Sequence, residues 1–140
     1  SQEFLKKIKY VNNELGGTIE WLGRMHGESL TKYYNKFGIF CSLPRQNEAF
    51  GMTFVEAQAC GTLVLGSDIG GVSEAILQEG LVLNRESTPE MVSYKVQSLL
   101  QRLKITPNLG IEYSKGLEAE YSWSVLSDQQ QRFMRENDYL

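Results

Sequence analysis

Two glutamates, Glu48 and Glu56, stand eight positions apart around a Phe50-Gly51 turn in the segment NEAFGMTFVEAQACGTLVLGSDIGGVSE, residues 47–74. A carboxylate can accept hydrogen bonds from both hydroxyls of a vicinal diol such as a ribose. If a helix begins at Gly51, the amides of Gly51, Met52 and Thr53 are among its donors without an intrahelical partner. That end of a helix also carries about half a positive charge and suits a phosphate group. Glu56 then lies one turn inside, on the face of Met52 and Thr53, and leans back toward the N-terminus. Together these groups match an anionic, hydroxyl-rich ligand such as a sugar carried on a nucleotide diphosphate. A bland alternative stands beside that reading. Glutamates before and within a first turn also serve simply to complement the dipole, for about 0.3–1 kcal/mol each.

The elements needed to position these groups can be read from hydrophobic spacing. Residues 2–14 place Phe4, Leu5, Ile8 and Val11 at helical intervals, and Gly16-Gly17 ends the run. Thr18–Leu22 reads as a short strand, and Gly27–Phe37 as a helix with Leu30, Tyr33, Tyr34 and Phe37 inward. Ile39–Leu43 is expected as a buried strand closed by Pro44. Next come a helix over Gly51–Cys60, a strand over Leu63–Gly66, a helix over Val72–Gln78 and a short strand over Leu81–Leu83. From Thr88 the pattern is helical, with Pro89 suited to a first turn and two further helices over Ile111–Glu120 and Val125–Arg135. Alternating strands and helices imply an α/β fold, a Rossmann-like parallel sheet with flanking helices, followed by a helical C-terminal region. The whole chain, 1–140, reads as one domain or part of one. Pro44 ends a buried strand, so the loop that follows emerges at the carboxyl edge of the sheet, where ligands bind in such folds.

Composition narrows the function. The hydrophobic share of 41% and charged share of 22% are those of an ordinary globular protein. A net charge of −3 offers no basic stripe for nucleic acid; Lys6, Lys7 and Lys9 read as a solvated helix face. No apolar run approaches the roughly 18 residues of a membrane span. Cys41 and Cys60 lie in apolar surroundings without CxxC or histidine partners, and are expected to be reduced, buried thiols of a cytoplasmic protein. The single histidine, His26, argues against a histidine-built metal centre. No metal and no cofactor is expected.

The stretches IEWLG, PRQNEAFGMTFVEAQACGTLVLGSDIGGVSE and the Tyr-Ser-Trp at 121–123 resemble, in order and spacing, the nucleotide-binding half of retaining glycosyltransferases of the GT-B fold, family 4 or glycosyl transferases group 1. The resemblance covers about residues 18–125. It implies that Glu48 contacts the donor sugar and stabilises charge near the reacting centre, and that Glu56 binds the nucleotide ribose. It also implies that the backbone at Phe50, Gly51, Met52 and Thr53 holds sugar and diphosphate, and that the loop around Gly23 and Arg24 sits near the base. The partner so implied is a nucleotide diphosphate sugar, for example a UDP-sugar, and the acceptor a carbohydrate or lipid. Polysaccharide biosynthesis is the setting. Gly70-Gly71 resembles the family's turn, though a glycine pair between strand and helix also serves as plain turn chemistry. Glu74 reads equally as a helix cap, Asp68 and His26 as loop residues, and Tyr121 and Trp123 as packing residues.

Two departures from the family pattern bear on function. Arg45 stands where the family has serine, so an additional cation either faces the cleft or points away. The family also has an N-terminal acceptor domain, two further strands, and an Arg and a Lys that neutralise the diphosphate. None of these precedes Ser1, so the chain is expected to be a truncated donor-binding domain, inactive alone, whose partner is the missing acceptor domain. In the family's strand order, 3-2-1-4-5-6, the absent strands fall between Thr18–Leu22 and Ile39–Leu43. Their absence exposes two strand edges, so the first strand is expected to re-pair or to associate with another chain. Other classes fit the residues too. A non-catalytic nucleotide or phosphosugar-binding module would use the same pocket, and a structural interaction domain would use the glutamates as caps.

Overall fold

A computed structural model of the chain describes residues 2–46, 48–77 and 81–136, with only the backbone of Glu120 and Trp123. Seven helices and three strands alternate in the described residues: α1 Gln2–Glu14, α2 Glu28–Lys36, β1 Ile39–Ser42, α3 Met52–Ala59, β2 Leu63–Ser67, α4 Val72–Ala75, β3 Val82–Leu83, α5 Pro89–Ile105, α6 Leu109–Tyr121 and α7 Trp123–Glu136. The strands form one parallel sheet in the order β1-β2-β3, with Ile39 opposite Leu63 and Gly66 opposite Val82.

Every residue of β2 is buried, and side chains alternate across a strand, so both faces of the sheet are covered. The centre of the core is Phe54, Leu63, Leu65, Leu81 and Leu99, each almost fully buried. α5 begins with a capped first turn: Thr88 Oγ1 accepts from the Met91 amide at 3.4 Å, and Pro89 takes the first helical position, where no amide is needed.

Three expectations are overturned. Thr18–Leu22 is not a strand. Its alternating pattern suits one, but a strand exists only against a partner, and here it runs without regular structure. Of the segment's groups, the Ile19 amide bonds the Asn12 side chain at 2.6 Å. The sheet therefore starts at β1, which is an edge strand. Cys41 is exposed and Cys60 half-buried, so neither is a fully buried thiol; Cys41 lies on that open edge. Phe37 is 41% exposed, because the helix ends before it and its backbone turns extended. Elsewhere element types agree and boundaries shift by one or two residues, except that α4 ends at Ala75, three residues before the expected Gln78, which lies outside the described residues, as does the Trp123 side chain.

The arm that precedes the sheet differs in kind. No described residue from Gln2 to Tyr33 is buried. Phe4 and Trp21 meet edge to face at 5.7 Å, yet both remain half or more exposed. No residue of α1 is buried or packs against the core cluster.

Candidate functional site

α3 is set by a left-handed residue. Gly51 has φ 84° at the N-cap, and a side chain there would press into the Phe54 ring at 2.7 Å, so only glycine fits. The helix then divides cleanly. Phe54, Ala57 and Gln58 are buried, whereas Met52, Thr53 and Glu56 are exposed on the other side. The first-turn amides of Met52 and Thr53 precede the first helical acceptor, and the Phe54 amide turns back to the Gly51 carbonyl at 2.9 Å. Glu56 therefore stands one turn behind two amides without an intrahelical partner, on the exposed face of Met52 and Thr53.

Glu48 is half-buried in the loop that leads to this helix. Its backbone is held by the turn after β2: the Gly71 amide donates to the Glu48 carbonyl at 3.1 Å. A side chain at Gly70, whose φ is 55°, would collide with the Glu48 carbonyl, and one at Gly71 with the Ala49 carbonyl. The Gly-Gly turn is thus a close-approach surface for the Glu48 loop, more than ordinary turn chemistry.

The loop is braced from its other side by the end of α6. The half-buried Phe50 ring lies 6.2 Å from the ring of Tyr121, and the Tyr121 hydroxyl donates to the Glu74 carbonyl at 2.8 Å. Tyr121 is a packing residue that ties α6 to both the Phe50 loop and α4.

Sequence reasoning passed over Gln58. It is 2% exposed, and its Nε2 donates to the carbonyls of Phe54 at 3.1 Å and Ala75 at 2.8 Å, while Oε1 accepts from the Leu77 amide at 3.3 Å. This amide bolts α3 to the end of α4. Spacing gives the signal, since Phe54, Ala57 and Gln58 fall on one helical face.

Gly23 and Arg24 lie on the unburied segment before α2, Gly23 with φ 73° and Arg24 exposed. Neither is joined to the 48–56 loop by a hydrogen bond or an ion pair among the described residues. Glu48, Phe50, Gly51, Met52, Thr53 and Glu56 share one loop and helix start, to which these two make no such bond. His26 belongs to the same segment, its carbonyl accepting from the Ser29 hydroxyl at 2.7 Å. Asp68 and Glu74 are exposed. No group of three or more His, Cys, Asp or Glu among the described residues is placed to hold a metal ion. No described helix is long and apolar enough to cross a membrane.

The parallel sheet with its flanking helices is the fold of GT-B glycosyltransferase structures. Similar solved structures include Anabaena HepE in complex with UDP-glucose, at 17% identity and a TM-score of 0.70 over 99% of this chain and 38% of that one. A glycosyltransferase from Rickettsia africae matches at 19% identity and a TM-score of 0.71, over 96% of this chain and 36% of that one.

The family model of glycosyl transferases group 1 matches residues 1–110, and the chain belongs to that family. Relatives include an uncharacterized glycosyltransferase of Methanocaldococcus jannaschii, 31% identical across 84% of this chain and 34% of its own length. Another is a sucrose synthase of Denitrovibrio acetiphilus, 29% identical across 96% of this chain and 18% of its own length. The chain thus spans about a third or less of these relatives.

Proposed function

We propose that this chain is the donor-binding half of a retaining glycosyltransferase that moves a hexose from a nucleotide diphosphate sugar to a carbohydrate or lipid-linked acceptor. The observation that carries this reading is the shared exposed face of Met52, Thr53 and Glu56 at the N-terminus of α3. The two amides and the helix dipole meet the diphosphate, and the Glu56 carboxylate accepts from the ribose diol. Glu48 stands before the helix, where its carboxylate would stabilise positive charge developing at the anomeric carbon. Its role is electrostatic, not that of a general base: the sugar–phosphate bond breaks, the acceptor hydroxyl enters on the same face, and its proton passes to the departing diphosphate. A UDP-sugar is the first donor to try, since the similar Anabaena protein was solved with UDP-glucose. Transfer itself belongs to the whole protein, in which an acceptor domain would complete the cleft.

The test is ligand-observed NMR with UDP, GDP, ADP and their sugar conjugates, on the wild-type chain and on Glu56→Ala. Saturable binding of one diphosphate, lost in the variant while the fold persists, supports the donor pocket. Binding that the substitution leaves unchanged overturns it. Nucleotide binding by the complete protein with no sugar transfer to any acceptor would favour a non-catalytic module.

A further inference from the structure

A second feature lies at the carboxyl edge of the sheet, away from α3. A cavity of about 670 Å³ opens where β1, β2 and β3 end, and its lining includes Arg45, Ser67, Arg85, Glu86 and Ser87. None of the residues 48–56 lines it. Arg45, the residue that departs from the family's serine, therefore faces this cavity together with a second arginine forty positions away in sequence.

We propose that this cavity binds a small molecule bearing a phosphate monoester, held by Arg45 and Arg85.

Two observations support a phosphate. Arg45 and Arg85 make neither a hydrogen bond nor an ion pair among the described residues, so both guanidinium groups are available. The walls are also fixed in advance. The Ser67 hydroxyl donates to the Pro44 carbonyl at 3.0 Å, beside Arg45. Across the cavity, the Glu86 amide bonds the Asn84 side chain at 3.0 Å and the Ser87 amide bonds the Asn84 carbonyl at 2.9 Å.

Charge and size select the ligand class. Glu86 supplies the one carboxylate of the lining, so the cavity carries a net single positive charge. A phosphate monoester carries about −1.5 to −2 at pH 7, with three terminal oxygens for two guanidinium forks. A simple carboxylate would leave part of that set unused. The volume falls in the range of about 300–1,000 Å³ typical of small-molecule sites, far more than a lone phosphate ion requires. A phosphorylated sugar or a similar metabolite fits. A nucleic acid does not, given the net charge of −3. The first turn of α5 adds little, because Thr88 already caps it.

The experiment is a titration followed by 31P NMR, with inorganic phosphate and separately with glucose 6-phosphate, on wild type, Arg45→Gln, Arg85→Gln and Glu56→Ala. Circular dichroism confirms that each variant is folded; both arginines are exposed, so their replacement leaves the core alone. Saturation of the wild type below ~10 mM is expected, the range of a weak single-anion site. Either arginine variant should weaken it at least threefold, with about tenfold typical for a charge-assisted bond. Tighter binding of glucose 6-phosphate assigns the cavity to a phosphorylated metabolite, and tighter binding of the free ion to phosphate itself. Absence of saturation overturns the proposal. So does a loss smaller than threefold in both arginine variants, or a loss in Glu56→Ala in their place. A parallel titration with UDP-glucose, which has no terminal phosphate, separates this site from the donor pocket, because Arg85→Gln should leave its binding unchanged.

Discussion

The Gly71 amide donates to the carbonyl of Glu48 at 3.1 Å, so the loop bearing the candidate catalytic glutamate rests directly on the turn that follows β2. Neither glycine of that turn has room for a side chain, since a Cβ would meet the Glu48 carbonyl from Gly70 and the Ala49 carbonyl from Gly71. Gly71→Ala should therefore destabilise the fold by about 1–3 kcal/mol, because backbone, not a flexible side chain, must move. Gly70→Ala adds the strain of a positive φ. Gly116→Ala is the control: it sits within α6 with nothing near a new Cβ, and should gain about 1 kcal/mol in helix propensity. Urea denaturation of the three variants measures this. Equal stabilities for Gly71→Ala and Gly116→Ala would sink the close-approach account.

Gln58 gives a second prediction. Replacing it with leucine keeps the volume but leaves the Ala75 carbonyl and the Leu77 amide without their side-chain partner. The expected cost is about 2–4 kcal/mol, from two polar groups that lose a bond in or near the core. A hydrophobic substitution that proved neutral by thermal melting would show that these groups find other partners.

How much of this could be read in advance differs from residue to residue. The strands β1 to β3 and helix α3 were legible, since short apolar runs and a 3.6-residue period are local properties. The Glu48–Glu56 spacing was legible for the same reason. Thr18–Leu22 misled because alternation describes a strand's faces but not its partner. Cys41 misled because its apolar neighbours say nothing of which strand lies at the edge. Gln58 went unremarked because a polar side chain does not announce burial, although its helical position placed it beside Phe54 and Ala57. The contact of Gly70 and Gly71 with Glu48, and the meeting of Arg45 with Arg85, depend on parts of the chain brought together only by folding. Arg45 could be noted as a departure, but not assigned a direction.

Tyr121 separates two functions of one side chain. Tyr121→Phe removes the bond to the Glu74 carbonyl and keeps the ring against Phe50, so the loss should be about 0.5–1.5 kcal/mol. Tyr121→Ala removes both and should cost about 3–5 kcal/mol if the ring packs as a core aromatic, less in proportion to its partial exposure. If the ring braces the donor loop, the alanine variant should also weaken nucleotide binding while the phenylalanine variant binds normally. Differential scanning fluorimetry with and without UDP reports both effects. Equal binding by wild type and the alanine variant would confine Tyr121 to stability.

The pH dependence of stability has a definite sign on the alkaline side. Burial pushes the Cys60 thiol above its ordinary value of 9.0, and the Glu56 carboxylate beside it pushes further. The Tyr34 hydroxyl rises above 10.0 through burial, with smaller contributions from Glu56 and Cys60. Both groups are neutral when protonated, so the folded chain holds these protons more tightly than the unfolded one. Their contribution is complete below the unfolded values and is lost as pH rises through the folded ones. Stability should accordingly be level in this respect near neutrality and fall from about pH 9 upward. Cys60→Ala should remove the first part of the decline and leave the tyrosine part. Glu56→Gln should lower the Cys60 value without returning it to the ordinary one, because burial, the larger cause, remains. Thiolate absorbance at a series of pH values, in a Cys41→Ala background so that one thiol reports, follows the titration directly. A Cys60 thiol that ionises at or below its ordinary value would remove the basis of the prediction. A titration unchanged by Glu56→Gln would show that the carboxylate turns away from α3's own last residues and toward solvent or ligand.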